Sequence, residues 1–385
     1  MELRGLGMGQ FILRRLGVMI LMAICLTAFV FCLTNLYPNL EKLARSQGTP
    51  GMEPHQVAIW LSDRGYRAPL HPDVLDALDS DDLGQADKDA LLDTRINLRL
   101  IRNYGEWLGL LPGFRGAVDG GKTIGRCIDA GVHPDDAPDY CGVLQGNWGY
   151  SPVFEAKVGD VMAARLWQSG KLLLWALILM VPAALTLGVL AGLRQGSGPD
   201  RSVPALSSLS SATPEYVSGV ILIALLTAST MGLTWPWSSA ANTAEGAALP
   251  HVALPAFCIA FFGLGRFAQM TRASMAEVLA TQYIRTARLK GIGFGTIVFK
   301  HALRNALIAP VTSIMRYFPW LLSGLVIVET LFDYRGLGWT LVQAARGNDI
   351  ELLLGCATMA VMVVLIARLI SDVGAMIANP RIRLA

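Results

Sequence analysis

The chain has 385 residues, 53% of them hydrophobic and 16% charged, with a formal net charge of +3. An ordinary soluble protein of this length does not carry so little charge, and the apolar residues stand in long blocks rather than amphipathic stripes. A protein built across a membrane is expected.

Crossing the hydrocarbon core takes about 20 apolar residues. Six blocks qualify: Phe11 to Leu36, Leu172 to Leu193, Val217 to Leu233, Val252 to Ala268, Leu307 to Val328 and Leu352 to Ile370. Backbone polar groups in lipid must be satisfied within their own segment. The expected fold is therefore all-α: a polytopic membrane helix bundle with six transmembrane helices and an extracytoplasmic insertion after the first. Residues 1–37 would hold the N-terminus and first helix, 38–165 a periplasmic domain, and 166–385 a five-helix core.

The first apolar run exceeds the ~7–15 residues of a signal-peptide core, and no A-x-A cleavage site follows it. A retained anchor is expected. Basic residues set the orientation. Arg14 and Arg15 lie at the start of this span, Arg194 and Arg201 follow the second, and Arg381 and Arg383 follow the last. All fall on one side when both termini are cytoplasmic. Tyr37 to Arg165 holds 19 Asp/Glu and 13 Lys/Arg, a net of −6, against +9 elsewhere, which agrees with that topology.

Within the outer region, Val74 to Arg102 has helical spacing of Leu and Ile, and Pro112 to Gly149 is rich in Gly, Pro and Asp. Gly116 to Thr123 fits G-x-x-x-x-G-K-[ST], but that loop cradles phosphates only between a buried strand and a helix. No strand-like alternation precedes it, so a nucleotide site is rejected. His71-Pro72-Asp73 and His133-Pro134-Asp135 have metal-binding chemistry without a fixed spacing, and no metal site is assigned. Cys127 and Cys141 stand in a region expected to be oxidising. A bridge between them would close a short loop and stabilise it by ~3 kcal/mol; two reduced thiols are the other possibility. Cys25, Cys32, Cys258 and Cys356 lie in apolar spans, where small packing residues are expected.

Gln195 to Arg201 reads as a short turn, and Trp235 and Trp237 are placed at a membrane interface. Between Arg272 and Pro310 the chain becomes basic, with six Lys/Arg against the single acid Glu277. Two short helices are expected there, hinged at Gly291, Gly293 and Gly295. Helical spacing puts Glu277, Thr281, Arg285 and Arg288 on one face, with Met275, Val278, Leu279 and Tyr283 opposite. One face would settle on the membrane domain while the other meets a cytosolic partner. Beyond it, Arg316 falls in an apolar span, where a charge marks a functional site by default. Arg316 either lines a polar pathway or makes a structural pair; Arg368, nearer the cytoplasmic end, is expected to snorkel.

Several stretches carry a family resemblance. Tyr283-Ile284-Arg285-Thr286-Ala287-Arg288-Leu289-Lys290-Gly291, followed by His301 to Leu307, closely matches a cytoplasmic loop motif. Val328-Glu329-Thr330-Leu331-Phe332 with Gly336-Leu337-Gly338 looks like a V-E-T-x-F…G-L-G turn. Asn379 to Arg383 resembles a D-P-R-[IL]-R ending, with Asn in place of Asp. Ser211 to Tyr216 resembles an S-x-P-x-[FY] helix start, and Gln145 to Ser151 a G-D-x-G-x-S stretch. Together these resemble the permease subunits of bacterial ABC importers of the dipeptide/oligopeptide type. The resemblance covers Phe11 to about Tyr37 and Gly146 to the C-terminus, leaving the segment around Cys127 and Cys141 as an insertion.

The resemblance implies a bacterial inner-membrane subunit with no catalytic residues, metal or cofactor of its own, and no nucleic-acid partner. A second homologous permease would complete the pathway in the membrane lipid. Two ABC ATPase subunits would dock beneath, and a periplasmic substrate-binding protein would deliver the cargo. Glu277, Tyr283, Arg285, Thr286, Ala287, Arg288, Lys290 and Gly291, within the loop 272–304, would couple to the ATPase. Arg316 and Glu329 are candidates for the pathway. Peptides are the expected cargo; nickel, opines or sugar derivatives are alternatives within the class. A membrane-anchored sensor is the alternative from another class, and it needs a signalling domain that the short segment after the last span does not offer.

Overall fold

The computed structural model describes residues 8–47, 52, 56, 57, 60, 61, 100–113, 115–119, 122–125, 138–227 and 249–378. Helices dominate. Among the described residues, those of eight residues or more are, in chain order, α1 (Met8–Thr34), α2 (Tyr37–Gln47), α3 (Leu100–Leu108), α4 (Val158–Leu193), α5 (Gly198–Ala212), α6 (Glu215–Thr227), α7 (Leu249–Leu279), α8 (Gln282–Leu289), α9 (Ile308–Leu331), α10 (Leu337–Arg346) and α11 (Ile350–Ala378). Two small antiparallel pairs accompany them, β1 (Arg115–Asp119) with β2 (Lys122–Gly125), and β3 (Tyr150–Ser151) with β4 (Ala156–Lys157).

Among the described residues, five helical segments are long and apolar enough to cross a membrane: Leu13–Thr34, Val158–Leu193, Val252–Leu279, Phe294–Leu331 and Ile350–Met376. The expected span Val217 to Leu233 is described only to Thr227, so the count of crossings there stands at five. α4 is longer than its apolar block. It starts at Val158 and runs unbroken through Arg165, so the expected division at residue 165 is not a break in secondary structure. An α-helix of 36 residues reaches well past the thickness of the hydrocarbon core.

The chain falls into two compact units: Met1–Ile20, Arg165–Thr340 and Met362–Ala385 form one, Leu21–Ala164 and Leu341–Val361 the other. In the first, α7 packs against α5, α6 and α9 around a core that includes Leu172, Met180, Ala256, Phe267, Leu325 and Val328. Close approach depends on small residues. A Cβ at Gly188 or Gly192 of α4 would strike α7 at Thr271 or Met275, and one at Gly265 of α7 would strike α5 at Ser207 and Ser210. The expected turn at 195–201 is only the lead into α5. That Ser-rich helix ends where Thr213, ahead of Pro214, adopts the extended conformation that a following proline favours. Asp200 in the first turn of α5 pairs with Arg272 of α7 and accepts a 2.8 Å hydrogen bond from the Gly196 N–H. The Arg272 guanidinium, then the Gly196 amide, hold the Asp200 carboxyl below its usual range.

In the second unit Phe31 of α1, Trp107 of α3 and Leu354 of α11 are buried together, with the Tyr104 hydroxyl 2.7 Å from the Thr27 hydroxyl. Asp349 is the N-cap of α11. One oxygen accepts the Leu352 N–H at 3.0 Å and the other the Ser151 hydroxyl at 2.5 Å. Burial raises the Asp349 carboxyl above its usual range despite these donors. Glu351 accepts the Tyr150 N–H at 2.9 Å, and Gly149, at φ +89°, leaves no room for a side chain beside that carboxylate. The G-x-S stretch therefore exists to clasp the start of α11.

Two expectations need correction here. The G-x-x-x-x-G-K-[ST] match was expected to lack a strand, yet β1 begins it. Lys122 and Thr123 lie in the second strand of a hairpin rather than at a helix start, so the phosphate-cradling geometry is still missing. Cys25 and Cys32 are exposed on α1, whereas Cys258 and Cys356 are buried as packing residues. Cys141 is disulfide-bonded; Cys127 lies outside the described residues. So do His71, Asp73, His133, Asp135, Trp235, Trp237 and the tail Asn379 to Arg383.

Candidate functional site

The basic segment is built from the end of α7, the short helix α8, and an irregular return into α9. Where one helix carrying both Glu277 and Arg288 was expected, the chain breaks at Ala280 and Thr281. Thr281 is extended (φ −69°, ψ 153°), and its hydroxyl is turned back to the Val278 carbonyl at 2.6 Å. The break resets the helical phase. Glu277 stays exposed at the end of α7, while Ile284 and Ala287, one turn apart, become the buried side of α8. Tyr283, expected on the buried face, is 43% exposed, and its hydroxyl accepts a 2.8 Å hydrogen bond from the Asn305 amide.

An eight-residue helix does not persist alone in water, so its packing decides its stability. Ile284 and Ala287 join Met275 of α7, Ile297, Val298 and Ala302 of a π-helical turn (Ile297–Ala302), and Ala306 in one buried cluster. Burying an Ile or Met side chain contributes on the order of 2 kcal/mol. Ser274 adds a 2.7 Å hydrogen bond to the Ala306 carbonyl. The end of α8 is a Schellman motif. Gly291 adopts φ +75°, its N–H reaches the Arg288 carbonyl at 3.0 Å, and the Ile292 N–H reaches the Ala287 carbonyl at 3.3 Å. Ile292 then packs on the same cluster. Gly291 is thus a helix stop, and of the three expected hinge glycines it alone has a positive φ.

Arg285, Thr286, Arg288 and Lys290 are exposed on the outer side of α8, and Lys300 and Arg304 are exposed nearby. Among the described residues no carboxylate forms an ion pair with Arg285, Arg288 or Lys290. Leu289, Phe294 and Phe299 stand exposed among them. Uncompensated cations mixed with exposed apolar side chains, carried on a packed base, suit a surface that docks onto another protein.

The two pathway candidates separate. Arg316 is exposed on α9. Glu329, in contrast, is fully buried and accepts three hydrogen bonds: Ser169 Oγ at 2.5 Å, Gly338 N–H at 2.8 Å and Trp339 N–H at 3.1 Å. The last two are first-turn amides of α10, which lack partners within their own helix. Ser169 also accepts the Leu337 N–H at 2.8 Å. A Cβ at Gly336 would collide with the Glu329 carboxylate. The expected pathway acid is a helix cap, and V-E-T-x-F…G-L-G is the sequence of that capping arrangement. Nearby, Tyr334 donates to the Gln168 carbonyl at 3.0 Å, and burial, then the Glu329 charge, push its phenol up to about 12.

Residues 184–384 match the family described as binding-protein-dependent transport system inner membrane component. The chain belongs to this family. The permease is 32% identical over 246 residues to the oligopeptide transport system permease protein AppB of Bacillus subtilis, covering 62% of this chain and 77% of that protein. It is 31% identical over 261 residues to the dipeptide transport system permease protein DppB of Haemophilus influenzae, covering 63% and 78%. It is also 31% identical over 244 residues to the glutathione transport system permease protein GsiC of Escherichia coli, covering 62% and 76%. The chain is a multi-pass inner-membrane permease subunit of an ABC importer and not an enzyme, and such a permease works with ATPase and binding-protein partners.

Sequence reasoning missed the Asp200–Arg272 pair, the Tyr283–Asn305 bond and Ser169. Two of these join residues far apart in the chain, and no local pattern signals them. It also passed over Arg266, in the middle of α7, although a lone Arg in an apolar block is the same signal that singled out Arg316.

Proposed function

We propose that this permease forms half of the translocation pathway for peptides or a similar small solute, with a second homologous permease supplying the other half. Two ATPase subunits dock on Arg285, Arg288, Lys290 and their neighbours. Both termini and this loop are cytoplasmic, and the segment 38–165 is periplasmic, where a binding protein delivers the solute. The peptide cargo is supported by relatives named for oligopeptide, dipeptide and glutathione transport.

The observation that carries this reading is α8 itself: cations with no ion pair among the described residues, held on a base that packs directly onto α7 and the return segment 297–306 that leads into α9. Charge-assisted contacts to the ATPase would pull on α8, and the packed cluster would pass that displacement to the spanning helices. Nucleotide binding then biases a two-state equilibrium between outward and inward access. The test is a double charge reversal, Arg285→Glu with Arg288→Glu, followed by co-purification of the ATPase and ATP-driven uptake. Loss of both is expected; normal association with normal uptake would refute the assignment.

A further inference from the structure

The outward surfaces of the spanning helices are of two kinds. On α4 the exposed side chains include Leu174, Ile178, Leu187 and Leu190, a surface that suits lipid. On α7 and α9 they include Arg266, Gln269, Arg316 and Ser323 beside the apolar Phe257, Met315, Trp320 and Ile327. Arg266 lies in α7 six residues before Arg272, where the basic loop begins. At the rise of an α-helix, that places it about 9 Å into the span from the loop side. Arg316 lies eight residues after Ile308, the start of α9, about 12 Å along it. A guanidinium turned toward lipid inside a span is costly. This two-helix face therefore looks into a wet or protein-lined space.

The face is also organised. The Arg266 guanidinium lies 5.5 Å from the Tyr317 ring centroid. That separation is within cation–π range. Tyr317 in turn packs against Trp320, with ring centroids 4.6 Å apart, so an aromatic wall backs the cation. Arg316 directly precedes Tyr317. Neither arginine has a carboxylate partner among the described residues. A guanidinium stacked on a ring keeps its N–H edge free, and that edge matches a carboxylate in bidentate fashion.

We propose that Arg266 and Arg316 form a carboxylate clamp on the solute path, binding the free carboxylate of the solute in transit. The inference rests on the peptide reading above for the identity of that carboxylate. The clamp would hold the anionic end against the aromatic wall while the rest of the solute passes. An acidic side chain of the second permease is the other source of a carboxylate, and the test separates the two.

The experiment uses the assembled importer. With Cys25, Cys32, Cys258 and Cys356 replaced by alanine, Gln269→Cys should react with an anionic methanethiosulfonate reagent. Adding Arg266→Gln and Arg316→Gln should slow that reagent at least several-fold relative to a cationic one. An unreactive thiol, or an unchanged ratio, overturns the clamp. In proteoliposomes, uptake of trialanine should exceed that of its C-terminal amide. Arg266→Gln should shrink that ratio about tenfold with the second permease still co-purifying, and Arg266→Lys should restore part of it. Loss of the second permease from Arg266→Gln complexes would assign the arginine to the subunit interface and overturn the proposal. A wild-type importer that moves no peptide, yet shows the charge effect on labelling, would refute the peptide reading and leave an anion clamp for a different solute.

Discussion

Asn305 and Tyr283 are joined by a 2.8 Å hydrogen bond between side chains 22 residues apart, the amide donating to the phenol oxygen. The bond ties α8, the helix that carries the exposed cations, to the short helical turn that leads into α9. It supplements the apolar cluster with a directional link.

Removing that oxygen should therefore loosen coupling without removing the docking surface. A hydrogen bond of this kind contributes about 0.5–1.5 kcal/mol. Tyr283→Phe should lower ATP-driven uptake by roughly two- to tenfold, with ATPase co-purification unchanged. Uptake equal to wild type would show that the bond transmits nothing.

Gly291 and Gly336 should differ sharply when changed to alanine. At Gly291 a Cβ meets nothing within 4 Å. The cost there is that of a left-handed residue alone, about 1–2 kcal/mol. At Gly336 the Cβ would displace the Glu329 carboxylate and uncap α10. Thermal unfolding of the purified importer should show a modest shift for Gly291→Ala and a much larger one for Gly336→Ala.

Glu329 should behave as a structural residue. Glu329→Ala strands the Ser169 hydroxyl and two amides in a buried place, a loss on the order of 3 kcal/mol or more. Glu329→Gln keeps the shape and one acceptor oxygen and should cost less. Neither should alter the preference among solutes, measured as relative uptake of a panel of peptides. A changed preference at unchanged thermal stability would return Glu329 to the pathway.

The spanning helices were legible because lipid demands long apolar runs, and α9 and α11 start within two residues of their expected blocks. α5 was not legible. Its Ser, Pro and Gly content reads as a loop, and only packing against α7 makes it a helix. The cation positions on α8 were readable from the motif, whereas the faces of Glu277 and Tyr283 were not. The break at Thr281 shifts the helical phase, and nothing at that position in sequence marks a helix end. Glu329 shows the same limit. The residues of the capping turn were recognised, but which group buries the carboxylate depends on Ser169, far earlier in the chain.

The Asp200–Arg272 pair predicts a pH dependence. The Asp200 carboxyl is held below its usual value in the folded protein. An unperturbed Asp titrates near ~3.9. The contribution of the pair is complete above about pH 4 and is lost as pH falls through the lowered folded value. Thermal stability of the importer should therefore drop on acidification below that point, and Asp200→Asn should flatten that part of the profile while lowering stability at neutral pH. A variant with the wild-type acid profile would show that the pair contributes nothing to acid stability.

The most direct test of the central claim is the sidedness of α8. Arg288→Cys, in a background with Cys25, Cys32, Cys258 and Cys356 replaced, is to be labelled with a membrane-impermeant thiol reagent in vesicles of known orientation. Labelling only from the cytoplasmic side is expected, with protection when the ATPase subunits are bound. Labelling from the periplasmic side would contradict it.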